Sequence, residues 1–179
     1  MPGPADYLEE VGAIVKELRD LGLEPVLVGG MALVVLGSRR VTRDFDFVIT
    51  QPRDRLVNLL DLFYDRGLEL VARLDEEGNV TSTIGNRKVA SVRLRVDAPF
   101  SAYFFNPATG LRIDLLFDYP IPAATLAAAA TKTKIRSQVL HVASARDLLR
   151  LKRIARSHRK SSRDAEDIAF LEARRSDAD

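Results

Sequence analysis

The chain has 179 residues, a formal net charge of +2, 46% hydrophobic and 29% charged residues, and no cysteine. These proportions exclude wholesale disorder and fibrous repeats, and the lack of cysteine removes disulfides, thiolate metal sites and cysteine nucleophiles and points to a reducing cytoplasm. Apolar runs such as IPAATLAAAA fall short of the roughly 20 residues a membrane helix needs, MPGPADYLEEVG has no signal-peptide pattern, and two histidines, His141 and His158, leave little room for zinc.

In chain order, Asp6 to Leu21 is predicted as an amphipathic helix, with Leu8, Val11, Ile14, Val15, Leu18 and Leu21 at helical spacing and Gly22 as its stop. PVLVGG reads as a buried strand ending in a glycine pair, and MALVVLG as a short apolar helix closed by Gly37. FDFVI is a second strand, with Phe45, Phe47 and Ile49 on one face and Asp44, Asp46 and Val48 on the other. A helix over Leu56 to Tyr64, stopped by Gly67, completes an α/β unit. The middle reads as β-rich: VTSTIGN, KVASVRLRVD and SAYFF carry β-branched and aromatic residues. NPATG is a turn signal, so SAYFF and LRIDLLFD are expected to form a hairpin. Beyond Pro120 and Pro122 the chain is expected to be helical, interrupted at QVLHV. Ser144 caps a helix starting ARDLLRLKRIA, a polar HRKSS linker follows, and RDAEDIAFLEA forms a last helix before a fraying RRSDAD.

The chemistry concentrates in VGGMALVVLGSRRVTRDFDFVI. Gly29 and Gly30 end a strand and open a helix, where backbone amides can face a phosphate that the absence of a side chain lets in closely; a glycine pair alone is equally a tight turn. Asp44 and Asp46 share one side of their strand, so both carboxylates can reach one ion cluster, and they repel each other unless a cation lies between. Asp114 sits between Ile113 and Leu115, where an acid needs a partner. If its strand lies beside FDFVI, three carboxylates meet. Three carboxylates around two divalent ions about 4 Å apart serve nucleotidyl transfer.

This pattern resembles the nucleotidyltransferase superfamily of the DNA polymerase β type: a glycine pair, a spacer, Asp-x-Asp on the next strand and a third Asp on a later one. The Arg-x-Thr-x-Asp-x-Asp form, Arg40 to Asp46, is similar to the small bacterial branch. The ARDLLRLKRIA…RDAEDIAFL end is similar to the abortive-infection (type IV toxin–antitoxin) nucleotidyltransferase toxins. The resemblance covers about residues 25–171. It implies an α/β (α+β) fold with a mixed sheet flanked by helices, divided into a core over 1–122 and a helical portion over 123–179 that closes the nucleotide cleft. It further implies transfer of an NMP from an NTP with two Mg²⁺ ions, Mn²⁺ being the alternative. Asp44, Asp46 and Asp114 would be the catalytic and metal-binding residues. Gly29, Gly30, Arg40, Thr42, Lys152, Asp164 and Asp167 would bind nucleotide, and a cognate antitoxin protein is implied as a partner.

The residues of the end segment agree with this on their own terms. Lys152 lies at the edge of the Leu148, Leu151, Ile154 stripe, placed either to reach a triphosphate or to snorkel to solvent. Asp164 and Asp167 share a face with Ile168 and Leu171 and need partners, with Lys152, Arg156 and Arg163 as candidates. Asp164 also suits plain helix N-terminal charge compensation. His141, among apolar residues, reads as structural. Charge is uneven: Thr131 to Arg163 carries 11 Lys/Arg against one acid, Asp147, a net +10, and the rest carries 16 against 24, a net −8. A solvated helix face explains such a segment, and so does a polyanionic partner. RNA is the preferred acceptor, bound through Lys132 to Arg163. The rival readings are a catalytically silent nucleotide- or RNA-binding module and a regulatory partner of a toxin–antitoxin pair.

Overall fold

In the computed structural model of the protein, residues 7–158 and 162–176 are described. The expected start at Asp6, the HRKSS linker with Arg159 and Lys160, and the end of RRSDAD therefore fall partly or wholly outside the described residues. The first helix, α1 (Leu8–Asp20), buries Val11, Ile14, Val15 and Leu18 on one stripe. Then come β1 (Val26–Val28), α2 (Gly29–Val35), β2 (Phe45–Ile49) and α3 (Leu56–Tyr64). The middle holds β3 (Glu69–Leu74), β4 (Val80–Ile84), α4 (Arg87–Asp97), β5 (Ser101–Phe105) and β6 (Arg112–Phe117). The end is α5 (Ala123–Ala129), β7 (Thr131–Ile135), β8 (Gln138–Val142), α6 (Ala145–His158) and α7 (Ser162–Ser176).

All eight strands form one sheet in the order β4-β3-β5-β6-β2-β1-β8-β7. The pairs β2–β6 and β1–β8 are parallel and the others antiparallel, so the sheet is mixed. One face is apolar. Phe45 and Phe47 of β2, Ile113 and Leu115 of β6 and Phe104 of β5 are buried on it, and α3 lies over it, Phe63 stacking on Phe104 with centroids 4.1 Å apart. Residues of the opposite parity, Asp46, Asp114 and Tyr103, are half-buried on the other face. The period of two along each strand thus carries the acids away from the core.

Three segments differ from their expected form. KVASVRLRVD is not a strand but the body of α4. The Asn86 side chain accepts hydrogen bonds from the Lys88 and Val89 amides at one end, and Ala98 takes a left-handed conformation (φ 41°) at the other. Its valines misled on composition, whereas Ala90, Ser91 and Leu94 are buried at helical spacing. The stretch after Pro122 is not all helical. TKTKI and QVLHV pair as a hairpin around Arg136 and Ser137, and β8 joins β1, so one sheet draws strands from both sides of residue 122. Strand β3, in ELVARL, had no expectation attached. Ser144 does cap α6, its hydroxyl accepting from the Asp147 amide at 3.1 Å.

Candidate active site

Strands β2 and β6 run parallel in a register that sets Asp46 opposite Asp114. Asp44, one residue before β2, adds a third acid whose charge reaches both. Asp44 and Asp46 line a cleft of about 370 Å³ together with Gly29, Gly30, Arg40 and Thr42 on one side and Leu148, Leu151 and Lys152 of α6 on the other. A groove of equal volume between β3 and β5 holds one acid, Asp97, already paired with Arg93 at 3.1 Å.

Part of Asp46 reaches solvent through the cleft. Even so, desolvation by the surrounding protein, followed by repulsion from Asp114 and Asp44, pushes its carboxyl up to about 8. Burial raises Asp114 too, against the pull of Arg112. Each carboxyl disfavours the charge on the other across the strand pair. Arg112 holds Asp114 with both arms, Nε to Oδ1 at 2.8 Å and Nη2 to Oδ2 at 3.0 Å, and donates a third bond to the Gly78 carbonyl at 2.7 Å. Its guanidinium lies 5.2 Å from the Tyr103 ring centroid.

Among the described residues, no group of three or more Asp, Glu or His side chains is gathered into a ready-made metal cage. The chemistry of the donors nevertheless fits a hard divalent cation: Asp44 and Asp46 offer carboxylate oxygens of the kind Mg²⁺ and Mn²⁺ take, and a cation there would offset the repulsion that raises Asp46. Asp114 is the member whose carboxylate is already engaged, by Arg112.

The glycine pair is required by close approach. Gly29 has φ +68°, and a Cβ on it would collide with the Asp46 side chain. A Cβ on Gly30 would come within 2.9 Å of the Arg40 guanidinium carbon. Arg40 in turn ion-pairs with Asp167, 127 residues later. Lys152 joins the same cluster, with Nζ 3.0 Å from Asp167 and 3.4 Å from Asp164. Asp164 and Asp167 are only 1% and 3% exposed, so these contacts answer the need for partners that their place on an apolar face created. Of the three candidate partners, Lys152 is paired with both acids, Arg163 lines the cleft and Arg156 is exposed.

Residues 16–179 match the family described as nucleotidyl transferase AbiEii toxin, Type IV TA system. The chain belongs to this family. As an AbiEii-family member it is a nucleotidyltransferase, and solved structures show the same fold. It is similar to an antigenic nucleotidyltransferase-like protein from Paracoccidioides brasiliensis (20% identity over 96% of this chain and 78% of that one, TM-score 0.59). It is also similar to the lincosamide antibiotic adenylyltransferase LnuA in its lincomycin-bound form (13% identity, 92% and 95%, TM-score 0.56). A third similar structure is ANT(2")-Ia in complex with adenylyl-2"-tobramycin (12% identity, 93% and 87%, TM-score 0.56). No curated protein sequence matches the chain.

The AbiEii chain brings every expected site residue to this cleft or to a side chain bordering it. Sequence reasoning missed Arg112, although its i, i+2 spacing from Asp114 on a strand puts both on one face. It left Arg40 without its partner, and it missed the apolar wall of Leu116, Tyr119 and Pro120. His141 is half-buried on β8 opposite Lys132, as a structural residue would be. No helix among the described residues is long and apolar enough to cross a membrane.

Proposed function

We propose that this AbiEii-family enzyme transfers an NMP from a Mg²⁺-bound NTP to an RNA acceptor, and that it acts as the toxin of a pair with a cognate antitoxin. The observation that carries the reading is the pair Asp44 and Asp46 lining a cleft walled on its far side by α6, with Asp114 set opposite Asp46 in the strand register. Asp44 and Asp46 would hold the divalent ions, which when bound neutralise the triphosphate and favour ionisation of the attacking hydroxyl. Asp114, opposite Asp46 in the strand register and held by Arg112 through both oxygens, would bind an ion or take the acceptor's proton. Gly29 and Gly30 keep the cleft floor free of side chains. Arg40 has a buried Nε without a hydrogen-bond partner among the described residues, a donor that a phosphate oxygen would satisfy. Lys152 is held by Asp164 and Asp167 on the cleft wall, where its charge faces the same phosphates.

RNA is preferred because of what lies outside the cleft. Arg146, Arg150, Arg153 and Arg156 are exposed at near-helical spacing along α6, and Lys132 and Lys134 are exposed on the edge strand β7. The pair Arg153–Glu172 is a surface contact of little energy, and Arg150 keeps half its side chain exposed while reaching the buried Asp147, so the ridge stays available to phosphates. Incubation of the protein with each labelled NTP, Mg²⁺ and total RNA, small-molecule or protein acceptors tests this. Label entering RNA and lost on chelation is expected. Label entering only small molecules or protein would exclude the RNA acceptor, and no transfer to any acceptor would exclude the catalytic assignment.

A further inference from the structure

We propose that Tyr119, backed by Phe100, is the platform on which the nucleobase of the incoming NTP stacks. The inference rests on the reading of the cleft as the NTP site. Phe100 and Tyr119 are 66% and 43% exposed, and their rings stack with centroids 4.9 Å apart and planes 25° from parallel. Stacking covers one face of each ring and still leaves both among the exposed large apolar side chains of the protein. Surface of this kind, held rigid rather than buried, is suited to a flat ligand.

Its position decides which ligand. Tyr119 follows β6, the strand of Asp114, and lines the same cleft as Asp44 and Asp46. Among the described residues lining it, Tyr119 is the one aromatic. The cleft is divided by chemistry. Gly29, Gly30, Arg40, Asp44, Asp46 and Lys152 give its lining backbone and charge, whereas Leu116, Tyr119, Pro120, Leu148 and Leu151 give it apolar surface. A nucleoside triphosphate has the same division, with phosphates at one end and a planar base at the other. Placing the phosphates at Arg40 and the acids leaves the base at Tyr119. Phe100 does not line the cleft; it fixes the tilt of the Tyr119 ring from outside. Stacking selects for a planar ring and rewards overlap area, so purine NTPs are held more tightly than pyrimidine NTPs.

Calorimetric titration of the full chain with Mg·ATP, Mg·CTP and inorganic tripolyphosphate tests the platform, with melting curves to confirm folding. Tyr119→Ala is expected to weaken ATP binding roughly 5- to 150-fold, the span of base–aromatic stacking measured by alanine substitution, while tripolyphosphate affinity stays unchanged. Tyr119→Phe, which keeps the ring, restores what Tyr119→Ala loses. Phe100→Ala, on a ring outside the cleft, gives a smaller loss confined to the nucleotide, and it carries the test alone should Tyr119→Ala fail to fold. Wild-type ATP affinity in the folded alanine variants overturns the proposal, and so does an equal loss of ATP and tripolyphosphate. A wild-type protein that binds tripolyphosphate but gains nothing from the base defeats the platform alone. One that binds neither ligand defeats the NTP reading with it.

Discussion

Asp46 is pressed from three sides: by the close backbone of Gly29, by Asp114 across the strand pair and by Asp44 two residues back. Burial first, then repulsion from Asp114 and Asp44, raises its carboxyl and so disfavours its charge. Asp46→Asn is therefore expected to abolish nucleotidyl transfer and to raise the melting temperature in chelator. Retention of near-native turnover with Mg²⁺ would refute the role. His141 makes a separate prediction. Desolvation first, then Arg19 and Lys132, lower its pKa from 6.5. Around that pH the unfolded chain binds more protons at this residue than the folded one, so its contribution to stability is complete above 6.5 and declines as pH falls below it. His141→Gln should flatten the slope of melting temperature between about pH 7 and 5, and an unchanged slope would clear His141 of the effect.

At the scale of elements, legibility followed the range of the contacts. Helices α1, α3 and α6 and the β5–β6 hairpin were readable because period, stop signals and caps act within a few residues. Helix α4 was not, since its valines favour a strand and only the Asn86 cap and the burial of Ala90 and Leu94 decide for a helix. Asn86→Ala is expected to cost about 1 kcal/mol in chemical denaturation. The acids of the site were legible from Asp-x-Asp spacing and from Asp114 inside an apolar run. The partners of Asp167 were not, because nothing local announces a contact with Arg40 at a separation of 127 residues. That contact adds to the burial of Leu148, Leu149, Ile168 and Leu171 in holding α6 and α7 to the core. Asp167→Ala leaves the Arg40 guanidinium, 15% exposed, without its ion pair, a loss of about 3 kcal/mol. Hydrogen exchange should show α7 opening ahead of the sheet, and global loss with α7 still protected would disprove the fastening.

Across the whole molecule, the charge excess gathers on α6 and on β7, the edge strand at the opposite end of the sheet from β4. Reversal of Arg146, Arg150 and Arg156 to Glu is expected to lower RNA affinity while sparing NTP affinity. The slope of log K against log salt should also shrink by roughly 0.7–0.9 for each phosphate that the protein no longer neutralises. RNA binding that ignores these reversals would move the acceptor elsewhere on the surface.

The pairing of β1 with β8 and of Arg40 with Asp167 also sets an order of completion during synthesis. A growing chain that has emerged as far as Phe117 can zip β2 against β6 and assemble its three acids. The outer edge of β1 stays open until β8 arrives, and the wall of Leu148, Leu151 and Lys152 does not yet exist. A growing copy of this enzyme therefore lacks one side of its cleft until α6 has been made and has folded back over the sheet.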